Sequence, residues 1–146
     1  MGTVVSIHRV AARDGAALAL ERATFVADVG LEGDWRAWKG RPRQITLIEV
    51  ETLEAVAAAL GLAAVPQGAS RRQVVVRGVA LNASIGRCLR VGPLLVKVEA
   101  PCDPCRNMEA KIGRGARAAM ETRGGVCGRI IEGGVLSPGD VVSIVD

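Results

Sequence analysis

Short stretches of alternating apolar residues recur along this chain, closed by glycine or proline turns, while a helical period shows in only two places. Val4 to Val10 alternates and reads as a strand. Asp14-Gly15 is a turn signal, and Ala17 to Val29 carries a second extended pattern, so the two fit a hairpin. Gln44 to Val50 reads as a buried strand. Val74-Val75-Val76 is another, entered from Arg71-Arg72-Gln73 and ended by Arg77-Gly78. Arg87 to Val91 and Leu94 to Ala100 form a hairpin across Gly92-Pro93, and Val126 to Glu132 and Val141 to Val145 complete the set. Glu51 to Leu60 is the clearest helix, with Leu53, Val56, Ala57 and Leu60 on one face and Gly61 to close it. A second helical segment runs from about Arg106 to Met120, interrupted by Gly113 and Gly115. Seven or eight short strands and two helices, without regular alternation, argue against a doubly wound parallel sheet. They predict a mostly β chain: a barrel of short, largely antiparallel strands with a few helical insertions.

The 146 residues amount to one ordinary domain, residues 1–146, with no linker or repeat. Phe25, Trp35 and Trp38 are the only aromatic residues. The core must therefore be built from Val, Leu, Ile and Ala, and base-stacking platforms for single-stranded nucleic acid are not expected. Neither a signal peptide nor a membrane-length apolar run is evident, so the expectation is a cytoplasmic chain without membrane or nucleic-acid partners. Thiols are kept reduced in that compartment. The net charge of +4 is carried mainly by arginine, which suits bidentate contact with phosphate or carboxylate.

Chemistry concentrates after the strand at Leu94. Pro101 and Pro104 argue against a ladder continuing through that segment. Between and beside them stand Cys102-Asp103-Pro104-Cys105, with Arg106 behind, where a strand pattern gives way to a helical one. Two sulfurs at such a junction, near an arginine, permit several uses: a zinc site, a dithiol redox centre, a single cysteine that binds a thiophilic metal or carries sulfur, or simply two incidental cysteines. The motif alone does not choose. Cys88 and Cys127 lie within strand patterns and read as core; His8 lies in the first strand and reads as structural or exposed. Gly30-Leu31-Glu32-Gly33-Asp34 forms a shaped loop, and Arg36, Lys39, Arg41 and Arg43 follow it with no acid among them.

These pieces occur in the order of one family. The Gly-Leu-Glu-Gly-Asp loop ending at Asp34, the basic lead from Arg41 to Gln44 and Arg71-Arg72-Gln73 before the valine strand come first. Gly86-Arg87-Cys88-Leu89-Arg90-Val91-Gly92, Pro101-Cys102-Asp103-Pro104-Cys105, Arg123-Gly124-Gly125 and Leu136-Ser137-Pro138-Gly139-Asp140 follow. Taken together the chain resembles a MOSC domain, the C-terminal domain type of molybdenum cofactor sulfurases, here standing alone. The resemblance implies a β-barrel that binds the molybdenum cofactor (molybdopterin), a pterin dithiolene with a terminal phosphate, through one essential cysteine. That cysteine corresponds to Cys105, with Cys102 second. Relatives such as the mitochondrial amidoxime-reducing component reduce N-hydroxylated compounds. In sulfurases the domain is thought to handle sulfur, which here implies a Cys105 persulfide that Cys102 can release.

The residues themselves fit that implication. A soft thiolate suits molybdenum, and a basic set of Arg36, Arg41, Arg43, Arg71, Arg72 and Arg106 offers bidentate contacts to a phosphate. Arg71 and Arg72 are the first choice, since they enter a strand from a loop. Asp34 is expected to orient one of these arginines, to accept from the pterin amine, or simply to form the turn. The chain carries Gln73 where many relatives have Asn, and Trp35-Arg36 where many have His. It carries no flavin or iron–sulfur motif, so a reductase reading requires a small-molecule substrate and a separate electron-donor protein.

Overall fold

A computed structural model describes residues 1–146. Seven strands close into a barrel. They are β1 (Gly2–Val10), β5 (Ile45–Glu49), β6 (Val74–Arg77), β7 (Cys88–Val91), β8 (Leu94–Pro101), β9 (Val126–Glu132) and β11 (Val141–Ile144). The order around the barrel is β11-β7-β8-β9-β5-β6-β1, and pairing of β1 with β11 shuts it. The strand β2 (Ala17–Leu20) adds to β1 on the outside. A three-stranded sheet of β3 (Ala23–Val26), β4 (Gly30–Leu31) and β10 (Gly134–Leu136) lies beside it.

Every barrel neighbour pairs antiparallel except β5 and β6, which run parallel. A parallel pair needs a crossover, and helix α1 (Val50–Leu60) supplies it. Period-two alternation then sorts the side chains. Ile45 and Leu47 of β5 and Val74 and Val76 of β6 point into the barrel, within a cluster of 20 buried apolar residues. Ile48 and Val75 point outward into a second cluster of 10, which α1 covers with Val50, Leu53, Val56 and Ala57. Gly61 ends α1 in the left-handed region (φ 68°), where its N–H reaches the carbonyls of Ala57 and Ala58. Met108 from α2 (Arg106–Ile112), Ala116 from α3 (Ala116–Ala119), Val65 and Met120 complete this outer cluster.

The mostly β, largely antiparallel barrel is as expected, and the differences are local. The extended pattern from Ala17 to Val29 is two strands in two different sheets, because the chain bends at Glu21-Arg22. Eleven strands and three α-helices replace the seven or eight and two expected. The additions include β4 and β10, of two and three residues, too short to show a period. Val50 starts the helix and does not end the strand. Pro101 is the last residue of β8, paired with Val126, so the ladder runs one residue into the segment the prolines were expected to exclude. No helix is long and apolar enough to cross a membrane.

Candidate cofactor cleft

Four segments meet beside the barrel: the β1–β2 turn with Arg13, the β4–β5 connection, the lead into β6 and the start of α2. They enclose a cleft of about 500 Å³. Its lining includes six arginines (Arg13, Arg36, Arg41, Arg43, Arg71 and Arg72) and no carboxylate. Cys105, Asn107, Trp35 and Pro42 complete it.

The two cysteines of the motif part company. Cys102 is 2% exposed and its N–H donates to Gly125 O at 2.8 Å, which carries the β8–β9 pairing one step past Pro101. Cys105 is exposed, lies in the cleft, and serves as the extended residue before α2, its carbonyl accepting from Glu109 N at 3.1 Å. The Cys102 thiol instead meets Cys127 of β9. Their shared hydrogen bond, together with burial, pushes Cys102 up, and the same bond pulls Cys127 down to about 6 against its own burial, with Arg43 adding to the fall. Cys127 is therefore an inner neighbour of the site, a place the strand pattern did not signal.

The arginines divide just as clearly. Arg72 is buried, and burial lowers its pKa. Its Nε donates to Gly124 O (2.8 Å) and its Nη2 to Asp103 O (3.0 Å), so it straps the cysteine loop to the turn before β9. That approach is close: a Cβ at Gly124 would sit 2.2 Å from Cys102 O, so only glycine fits there. Arg71 sits at φ 62° and donates to Gly15 O (2.9 Å) and Arg13 O (2.6 Å), tying the β1–β2 turn to the cleft wall. The Arg71 carbonyl in turn accepts from Arg36 Nη1 at 2.8 Å.

Arg36 is held by Asp34. The carboxylate accepts from Arg36 Nε (2.8 Å), Arg36 Nη2 (2.9 Å), Arg36 N (2.9 Å) and Val10 N (3.0 Å). Burial of Asp34 raises its pKa, but the Arg36 and Val10 bonds outweigh that, and the carboxyl is held below the ordinary value. Gln73 also belongs to the frame, exchanging bonds with Thr46 between β5 and β6.

Three cleft arginines have no such commitment to a carboxylate or carbonyl. Arg13, Arg41 and Arg43 are exposed and form no ion pair. Arg41 stacks over the Trp38 ring at 5.1 Å, and Arg43 reaches the Cys127 sulfur. Thus, of the residues singled out in the sequence, Cys105, Arg36, Arg41, Arg43, Arg71 and Arg72 gather in one cleft. Arg71 and Arg72 line it while donating to backbone carbonyls. Asp34 stands behind Arg36, outside the lining. Arg106 is exposed at the head of α2 and does not line the cleft. Arg13 and Asn107 are additional lining residues. The Asp14-Gly15 turn signal beside Arg13 was the only cue to its position. His8 is buried against Ser6 Oγ at 2.8 Å, and Cys88 is half-buried, both away from this cleft.

This donor set fits a pterin-bound molybdenum. The cleft offers one soft sulfur ligand and a cationic lining without an opposing acid. The residues that would hold the group are Cys105 at the metal and Arg13, Arg41 and Arg43 at the phosphate.

The model of the MOSC domain family matches residues 34–143. No curated protein sequence matches the chain. Among solved structures, YuaD from Bacillus subtilis superposes with a TM-score of 0.80 at 15% identity, over 97% of this chain and 94% of that one. YiiM from Geobacillus stearothermophilus gives 0.78 at 18% over 100% and 76%, and YiiM from Escherichia coli gives 0.68 at 19% over 99% and 70%. At these identities the likeness is one of fold. With three quarters of its length inside the family model and the closed barrel described above, this chain belongs to the MOSC domain family.

Proposed function

We propose that this protein binds the molybdenum cofactor through Cys105 and, so loaded, reduces N-hydroxylated small molecules with electrons from a separate donor protein. The observation that carries this reading is a single exposed cysteine in a cleft lined by arginines and by no acid. The bound cofactor would supply two-electron redox chemistry at the metal. The chain's own part is binding and positioning. Cys105 provides the thiolate ligand. Arg13, Arg41 and Arg43 grip the phosphate by charge-assisted hydrogen bonds. Arg71, Arg72 and the Asp34–Arg36 pair hold the loops that present these groups.

The other reading is a sulfur carrier in which Cys105 holds a persulfide and turns nothing over. Its release step by Cys102 is disfavoured, because that thiol is buried against Cys127 and is not part of the cleft lining. Loaded protein supplied with a chemical reductant should convert an N-hydroxylated amidine to the amidine, and Cys105→Ala should abolish it. Absence of turnover by fully loaded protein, with one extra sulfur atom on Cys105 by intact mass, would favour the carrier.

A further inference from the structure

The chain has only three aromatic residues, and Phe25 is in the core. Both tryptophans are left partly in solvent, on the same connection between β4 and β5. Trp38, 61% exposed, lies outside the cleft lining and has a partner, since Arg41 covers its ring. Trp35, 39% exposed, lines the cleft and, unlike Trp38, takes no part in a cation–π pair.

Nor is Trp35 exposed because its segment is loose. Its N–H donates to Val10 O at 2.9 Å. The residue before it, Asp34, accepts from Val10 N, and the residue after it, Arg36, is clamped by Asp34 and by the Arg71 carbonyl. The backbone is thus fixed to the end of β1 at Asp34 and Trp35 and, through Arg36, to the lead into β6. An aromatic ring that lines a cleft from a fixed backbone and stays partly in solvent is placed to meet a ligand. Preorganisation also removes most of the ordering cost that a ligand would otherwise meet. Around this ring the lining is cationic, so its occupant must combine a flat face with negative charge.

We infer that Trp35 is the stacking platform of the cleft: it holds the planar heteroaromatic ring of the ligand while Arg13, Arg41 and Arg43 hold the phosphate. This rests on the cofactor reading and assigns the ring to a pterin. Trp35 is a positioning residue. It has no part in metal ligation, and its contribution is to the ring portion of the ligand only.

The test is calorimetric titration of the whole protein with a pterin carrying a side-chain phosphate, with inorganic phosphate and with adenosine monophosphate. Stacking on an aromatic side chain is worth about tenfold or more in affinity. Trp35→Ala should therefore weaken the pterin phosphate by about that factor and leave inorganic phosphate within about twofold. Trp35→Phe, which restores a flat ring, should recover most of the loss. Trp38→Ala should lower both affinities together, through Arg41, and keep their ratio. Unchanged affinity of Trp35→Ala for the pterin phosphate would overturn the inference and leave the cofactor reading standing. Failure of the unsubstituted protein to bind the pterin phosphate would overturn both. Binding of adenosine monophosphate as tightly as the pterin phosphate would overturn the assignment of the ring to a pterin.

Discussion

The barrel interior and the cleft beside it are built by opposite means. The interior is a cluster of 20 buried residues, all apolar, in which each strand contributes alternate side chains. The cleft wall buries Arg71, Arg72 and Asp34, and each is tied by hydrogen bonds to backbone or to another charge. Burial of hydrocarbon is non-directional and tolerates repacking. A buried guanidinium is stabilised only where its acceptors stand in the right places. The contrast teaches that the cleft wall can be rigid without being apolar. Its framework charges are taken up by carbonyls or by each other, which leaves an outer ring of arginines without an acid partner to meet a ligand.

Substitutions should separate the two regions, and the core comes first. Leu47, fully buried in the barrel, should cost about 3 kcal/mol on change to Ala, read as a lower denaturant midpoint with unchanged slope. Arg72→Met keeps much of the volume and removes the donors to Gly124 O and Asp103 O. A loss of about 2 kcal/mol is expected in the same measurement, accompanied by faster labelling of Cys102 by a thiol reagent. A core-like response without that labelling would mean Arg72 is packing and not a strap.

Asp34→Asn should cost about 1–2 kcal/mol near neutral pH, since the charge facing Arg36 is lost. It should also change the acid limb. The native carboxyl titrates below its ordinary value. Its contribution is therefore complete above the unfolded value and disappears as pH falls through the folded one. The variant's stability should fall less steeply over that acidic window. An unchanged acid profile would remove Asp34 from the framework. Arg43→Ala, in the outer ring, should move stability by no more than about 0.5 kcal/mol while weakening phosphate binding in the cleft. The smallest effect is expected at the exposed Arg90–Glu132 pair, where Glu132→Gln should be within about 0.5 kcal/mol. A larger loss there than at Arg72 would break the comparison.

Much of the barrel was legible because short apolar runs between turn residues are a local signal. Val74-Val75-Val76 and Ile45 to Ile48 announce strands from a few residues, and Gly61 announces the end of α1 by its own backbone geometry. The very short β4 and β10 were not legible, because two or three residues carry no period. In the cleft, the gathering of Cys105 with the arginines was foreshadowed by the motifs, but the division of labour was not. Arg72 finds its acceptors 31 and 52 residues away, and Arg71 finds its own 56 and 58 away, so no local pattern reports that they are committed. The place of Cys102 beside Cys127 was hidden for a related reason. The β8–β9 register shifts between Val98 and Ala100, so the alternation that starts at Leu94 cannot be extrapolated to residue 102. Cys127 read as core because its strand is; that it touches the cysteine loop depends on β8 and β9 being paired.

The most direct test of the central claim is the molybdenum-to-protein ratio, with the pterin measured alongside, in protein purified from a host that makes the cofactor. Three forms should be compared: unsubstituted, Cys105→Ala and Cys102→Ala. The account predicts near-stoichiometric metal and pterin in the first, loss of metal in Cys105→Ala, and retention in Cys102→Ala. Stoichiometric molybdenum in Cys105→Ala, or none in the unsubstituted protein, would contradict it.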